Sequence, residues 1–236
     1  MIVSGKISVK AILQNRKRKI SRLIIIDSKN DKESRYVESI AKGLKIQRMS
    51  REEMDALAGN TSHGGYLVEC EGRTSDSVSN LDTRGVLSLL CIEGVTDPFN
   101  LGEIIRTAAS LGFQGIITPT YDFYDSESKL IRASAGASES IWWLASSDLE
   151  SDLKALQNKG VCMLAAYRGD NSIPLHHYEM PEKVCVCLGG ALRGLSRKVL
   201  DLSDDHVRID YDARVSLSTV GAASVFAYER FSQLED

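Results

Sequence analysis

The strongest constraint on the fold lies in the C-terminal two-thirds of the chain. There, short uninterrupted apolar runs alternate with segments of helical periodicity. "GVLSLLCI", "VCMLAAY" and "KVCVCLGG" are apolar on both sides of an extended backbone, and "QGIIT" and "HVRI" read as further strands. A strand of that kind is covered on both faces, and strands covered on both faces belong to parallel sheets. Helical spacing at 101–112, Ser126–Ala137, "SDLKALQNKG", "SRKVLDLS" and Ser216–Leu234 supplies the covers. The expectation is an α/β fold, a parallel sheet with helices on both faces. Ligands of such sheets sit beyond the carboxyl ends of the strands. Three loops fall there: Glu93–Asn100, Gly189–Gly194 and Asp210–Ser216.

The N-terminal part reads as a small αβ domain. "SRLIIID", Leu44–Arg48 and "GGYLVEC" are strand-like, while "DKESRYVESIAKGL" and "SREEMDALA" are helical. "EGRTSDSVSNLDTRG" is polar, Ser-rich and aperiodic, so it reads as a linker. The domains expected are 1–72, a linker at 73–85, and 86–236. No apolar run approaches the roughly 18 residues of a membrane span, and the first residues have no secretory pattern. The cysteines (70, 91, 162, 185 and 187) form no Cys-x-x-Cys pair. They read as reduced thiols of a cytoplasmic protein, with no metal site.

The formal net charge of −3 hides an asymmetry. Residues 1–84 carry 16 Lys and Arg against 11 Asp and Glu, and the remainder 13 against 21. The basic excess is densest at Arg16, Lys17, Arg18, Lys19 and Arg22. Such a run is either a solvated surface or a contact for the phosphates of a nucleic acid.

"DPFNLGEIIRTAASLG" opens a helix. Asn100 reads as its N-cap and Glu103 as the partner in a capping box. Leu101, Ile104, Ile105 and Ala108 face a core, and Arg106 points away from it. "CLGGALRGLS" is glycine-rich, yet it is neither a G-x-G-x-x-G fingerprint nor a P-loop.

Three segments, in this order and spacing, resemble the SpoU/TrmH family of RNA ribose 2′-O-methyltransferases in the SPOUT superfamily. They are "EGVTDPFNLGEIIRTAASLG", "VCVCLGGALRGLS" and "RIDYDARVSLSTVGAA". "SGKISVKAILQNR" and "SHGGYLVEC" resemble the family's ribosomal-protein-like RNA-binding domain. The resemblance implies a deep trefoil knot in the C-terminal domain and S-adenosylmethionine as cofactor. It also implies an RNA substrate, ribosomal rather than transfer RNA, and a homodimer through the C-terminal domain. The implied cofactor residues are Ala165, Tyr167, Leu188, Gly189, Gly190, Gly194, Ile209, Leu217 and Ser218. The implied catalytic residues are Arg106, Asn100 and Ser216. Arg106 would also touch RNA, with Arg16, Lys17, Arg18, Lys19 and Arg22.

The chain departs from the family pattern in three places. Ala191 stands where the second motif carries glutamate, Ser218 where the third carries asparagine, and Asp210 where a proline is customary. Glu93, Glu103 and Glu139 are candidate replacements for the missing carboxylate. The departures leave open a catalytically silent relative that binds RNA or cofactor. An unrelated nucleotide-using αβ enzyme is a third reading. Outside the motifs, His176–His177 reads as solvated, His63 as a turn residue, and Trp142–Trp143 as core or dimer contacts.

Overall fold

The computed structural model describes residues 1–121, 126–212 and 215–235. Two compact units divide the chain. The first contains β1 (Ile2–Ser4), α1 (Lys6–Asn15), β2 (Ile20–Ile26), α2 (Lys32–Ile40), β3 (Lys45–Met49), α3 (Arg51–Ala58) and β4 (Tyr66–Cys70). Its sheet has the order β1-β4-β2-β3, with β2 and β3 parallel and the other pairs antiparallel. Local chemistry sets its helix starts. Asp31 and Ser34 form a reciprocal capping box on α2, and Ser50 and Glu53 form one on α3.

The second unit contains β5 (Leu87–Glu93), α4 (Pro98–Ser110) and β6 (Gly115–Pro119). Helices α5 (Glu127–Ala133) and α6 (Ala137–Ser140) follow in sequence, but they pack with the first unit. Ile131 of α5 joins the core made by Val9, Ile12 and Leu23. A β-carbon on Gly136, between α5 and α6, would sit 2.5 Å from the Ala11 methyl of α1. The expected C-terminal domain is therefore interrupted, because the buried side of this segment fits the N-terminal core.

The second unit resumes with β7 (Trp142–Ser146), α7 (Leu149–Gln157), β8 (Cys162–Ala166), β9 (Ile173–Pro174), β10 (Lys183–Gly189), α8 (Arg197–Leu202), β11 (Asp205–Arg208) and α9 (Thr219–Glu235). All seven strands are parallel, in the order β7-β6-β5-β10-β8-β11-β9. Leu89, Cys91, Cys185 and Cys187 pack with Leu153 and Leu156 of α7 and Val199 of α8. The alternate residues Leu90, Ile92, Val184 and Val186 are equally buried, as strands covered on both faces must be. Arg230 of α9 is buried and donates to Ser88 Oγ and to the carbonyls of Met180 and Glu182. Its hydrogen bonds fasten the last helix to the start of β5.

The Ser-rich segment that reads as a linker covers a sheet edge. Asp76 N–H donates to the Trp143 carbonyl, its carboxylate accepts from Trp143 N–H, and Ser75 Oγ accepts from Ala145 N–H. Polar side chains thus complete the outer ladder of β7 and protect that edge. Trp143 is a buried core residue and Trp142 a half-buried one packed against the core, with indole N–H groups donating to Thr118 and Asn80 respectively. The cysteines are all free thiols, and no group of described residues could hold a metal ion. No described helix is long and apolar enough to cross a membrane.

Candidate active site

β5 and β10 lie side by side at the centre of the sheet, with Glu93 and Gly189 in register at their carboxyl ends. The chain leaves β5 toward one edge and later strands fill the other side. This is the switch point where open α/β sheets hold ligands. The loops are tied here. Gly190 N–H donates to the Glu93 carbonyl (2.7 Å), and Gly194 N–H donates back to the Gly190 carbonyl (2.9 Å). Glu93 Oε2 accepts from Ser196 N–H at 2.7 Å, and Thr219 Oγ1 donates to the Gly189 carbonyl at 3.0 Å. A β-carbon on Gly189 would lie 2.1 Å from the Gly194 carbonyl carbon, and one on Gly190 2.3 Å from the Gly94 oxygen. Both glycines are required by close backbone approach.

Two clefts open at this end of the sheet. One, of about 210 Å³, brings Asn100, Asp97, Ala191 and Ser218 together, so all three sequence segments meet in it. The other, of about 120 Å³, is bordered by Tyr167, Ile209, Ser216 and Leu217, with Ala166 and Phe226 among its apolar walls. Residues 213 and 214 of the third loop lie outside the described residues. The Tyr211 phenol, also on this cleft, is held below its ordinary pKa by hydrogen bonds with Ser216 and then Arg168. Ala165 and Leu188 are buried in β8 and β10 and border neither cleft.

The helix carrying Asn100 starts earlier than the sequence suggests. Asp97 is the N-cap, accepting from Asn100 N–H at 2.8 Å, and Pro98 follows at the first helical position. Asn100 is therefore not the cap, and its side chain is left for the cleft. Arg106 is exposed on α4 and borders neither cleft. It makes no hydrogen bond or ion pair with a described residue.

The basic run differs from expectation at Arg18. Its side chain is only 1% exposed and its guanidinium is clamped by Glu139 (2.7 and 2.9 Å) and Glu127 (2.8 Å). Burial acts to lower its pKa, but the two carboxylates outweigh that and hold the group charged. Arg18 is a structural ion-pair centre, with almost no surface to offer an RNA phosphate. Arg16 donates to carbonyls of Leu13 and Ile40, Arg22 pairs with Glu69, and Lys19 pairs with Glu71 on the surface.

The pairing with Arg18 removes Glu139 as a replacement for the missing glutamate. Glu103 is exposed on α4, whereas Glu93 stands at the site and holds the glycine loop. His63 is buried in its turn, accepting from Gly65 N–H and paired with Asp55. His176 and His177 are exposed. Sequence reasoning missed Arg168, Tyr211 and Thr219. Tyr211 and Thr219 both lie inside the third segment, where the motif could have drawn attention to them; Arg168, just after β8, carried no such signal.

An open parallel sheet with glycine-held loops and paired clefts at its switch point defines a cofactor-binding α/β class. Within that class the chain belongs to the SpoU rRNA Methylase family, which matches residues 88–228. Residues 2–74 match the RNA 2′-O ribose methyltransferase substrate-binding domain. The 23S rRNA (guanosine-2′-O-)-methyltransferase RlmB of Shewanella oneidensis is 27% identical, covering 94% of this chain and 93% of that protein. The protein of the same name from Bordetella pertussis is 26% identical, with 98% and 97% covered. The fold is shared with the SpoU methyltransferase AviRb of Streptomyces viridochromogenes, with TM-score 0.83, 19% identity and 99% and 89% of the two chains covered. It is shared also with an AdoMet-bound rRNA methyltransferase of Sinorhizobium meliloti, at TM-score 0.82, 20% identity and 99% and 87% coverage.

Proposed function

We propose that this protein methylates the ribose 2′-oxygen of an RNA, ribosomal RNA by analogy with its relatives, using S-adenosylmethionine. The convergence of Asn100, Ala191 and Ser218 on one cleft, beside the Tyr167–Ile209–Leu217 cleft, carries this reading. The residues present suit the cofactor. Apolar walls that include Ala166, Ile209, Leu217 and Phe226 suit an adenosyl group. Tyr167, Gly189, Gly190, Gly194, Ile209 and Leu217 would hold it.

S-adenosylmethionine, when bound, supplies a methyl group on a sulfonium centre. The rest of the chemistry falls to the chain. Much of the acceleration comes from alignment of the 2′-hydroxyl. Arg106 is a poor base, since an arginine pKa above about 12 keeps it protonated. It acts instead as a donor that fixes the hydroxyl and a neighbouring phosphate and stabilises developing oxyanion charge. The hydroxyl proton passes to phosphate or water. Asn100 and Ser218 orient the ribose from the cleft.

The homodimer belongs to this reading. Arg106 borders neither cleft of its own chain, and Val225 and Tyr228 leave apolar surface on α9 (38% and 64% exposed). A second copy against the C-terminal unit would bury that surface and complete the site. The trefoil knot belongs to it as well, supported by the Thr219–Gly189 bond between the third and second segments. The test maps 2′-O-methyls in ribosomal RNA incubated with the purified protein and S-adenosylmethionine. New methylation at a defined nucleotide is expected. Cofactor binding without methylation would assign the protein to the silent relatives that Ala191 permits.

A further inference from the structure

The cleft of about 120 Å³ has two cations among its lining residues, Arg168 and Arg208. They differ in availability. Arg208 is committed, with Nε on Asp210 (2.9 Å) and Nη1 on the Ser172 carbonyl. Arg168 is exposed and makes no ion pair with any described residue, although Asp170 is near in sequence. Its guanidinium lies instead 4.7 Å over the Tyr211 ring.

The turn that presents Arg168 is fixed. Gly169 N–H donates to Ser172 Oγ (3.0 Å), and Ser172 N–H donates back to the Gly169 carbonyl (3.1 Å). Ser172 is buried, and a β-carbon on Gly169 would strike the Tyr167 ring at 2.5 Å. A guanidinium stacked on an aromatic ring and carried by a rigid turn loses little entropy when it binds. Its planar fork matches a carboxylate. The surrounding sequence is acidic, with 13 cations against 21 anions in residues 85–236, so an anion bound here needs a specific local partner.

We infer that Arg168, stacked on Tyr211, binds the α-carboxylate of the cofactor's amino-acid portion at the mouth of this cleft. The inference rests on the proposed cofactor reading. Apolar walls receive the adenosyl and thioether part, and the cation at the rim, which no carboxylate of a described residue pairs, receives the carboxylate. Arg168 is thus a binding-specificity residue, separate from the groups assigned to the methyl transfer itself.

Calorimetry with two probes tests it. S-adenosylhomocysteine carries the carboxylate, and 5′-methylthioadenosine shares the adenosyl thioether but lacks it. Arg168→Gln is expected to weaken S-adenosylhomocysteine about tenfold or more, the scale of removing one charged hydrogen-bonding partner. It should leave 5′-methylthioadenosine within about twofold, and Arg168→Lys should recover part of the loss. Equal weakening of both probes would overturn the inference in favour of a contact to the adenine. Unchanged S-adenosylhomocysteine binding would overturn it as well, including the case where RNA affinity falls instead. If the wild-type protein binds neither probe, the cofactor reading itself fails, and the inference fails with it.

Discussion

Arg18 and Arg106 sit in the two units and differ in how far their charge is open to a ligand. Arg18 belongs to the densest cationic run of the chain and is buried between Glu127 and Glu139. Arg106 stands alone on an amphipathic helix and is exposed without a partner among the described residues. Charge density along a sequence therefore does not measure charge available to a ligand. A carboxylate far along the chain can consume an arginine, as the 121-residue separation of Arg18 and Glu139 shows.

The largest expected effect comes from breaking the internal pair. Arg18→Ala leaves Glu139 buried and uncompensated, at a cost of about 3–5 kcal/mol. Denaturant unfolding followed in the N-terminal unit checks this, and a change under about 1 kcal/mol would return Arg18 to the surface. Arg106→Ala inverts the pattern. Stability should change by less than about 0.5 kcal/mol, while methyl transfer falls about a hundredfold or more with cofactor binding intact.

A smaller contrast separates Asp97 from Asn100. Asp97→Ala removes the α4 cap and should cost about 1 kcal/mol in a thermal or denaturant melt. Asn100→Ala should cost less than about 0.5 kcal/mol yet still slow methyl transfer. The reverse order would restore Asn100 as the cap. The smallest effect concerns the residual basic surface. Replacing Lys17 and Lys19 with Gln should flatten the log–log salt dependence of RNA binding, by about one unit of slope for each phosphate that a lysine neutralises. An unchanged slope would remove both lysines from the RNA surface.

The sheet was legible because strands covered on both faces announce themselves: β5, β6, β8 and β10 fall where apolar runs stand, and β11 overlaps "HVRI", which reads as a strand without being one of them. β7 was not. Its tryptophans are amphipathic and its outer ladder is completed by Ser75 and Asp76, from a segment whose polarity signals a linker. α1 escaped because its apolar positions Val9, Ile12 and Leu13 adjoin the basic run, whose charges signal surface. Of the site, the glycine loop and the third segment were legible as motifs. The cap at Asp97 was masked by Asn100, an equally good capping residue three positions on. Arg168 and Tyr211 could not be paired from sequence, because only the fold brings the turn after β8 against the loop after β11.

Transfer of labelled methyl from S-adenosylmethionine to ribosomal RNA, measured in single turnover for the wild-type protein and Arg106→Ala, tests the central claim most directly. Titration of S-adenosylhomocysteine against both proteins runs in parallel. The account predicts 2′-O-methylation by the wild type, a loss of about a hundredfold or more in the variant, and equal cofactor affinity in the two. Methylation by Arg106→Ala at the wild-type rate would contradict it.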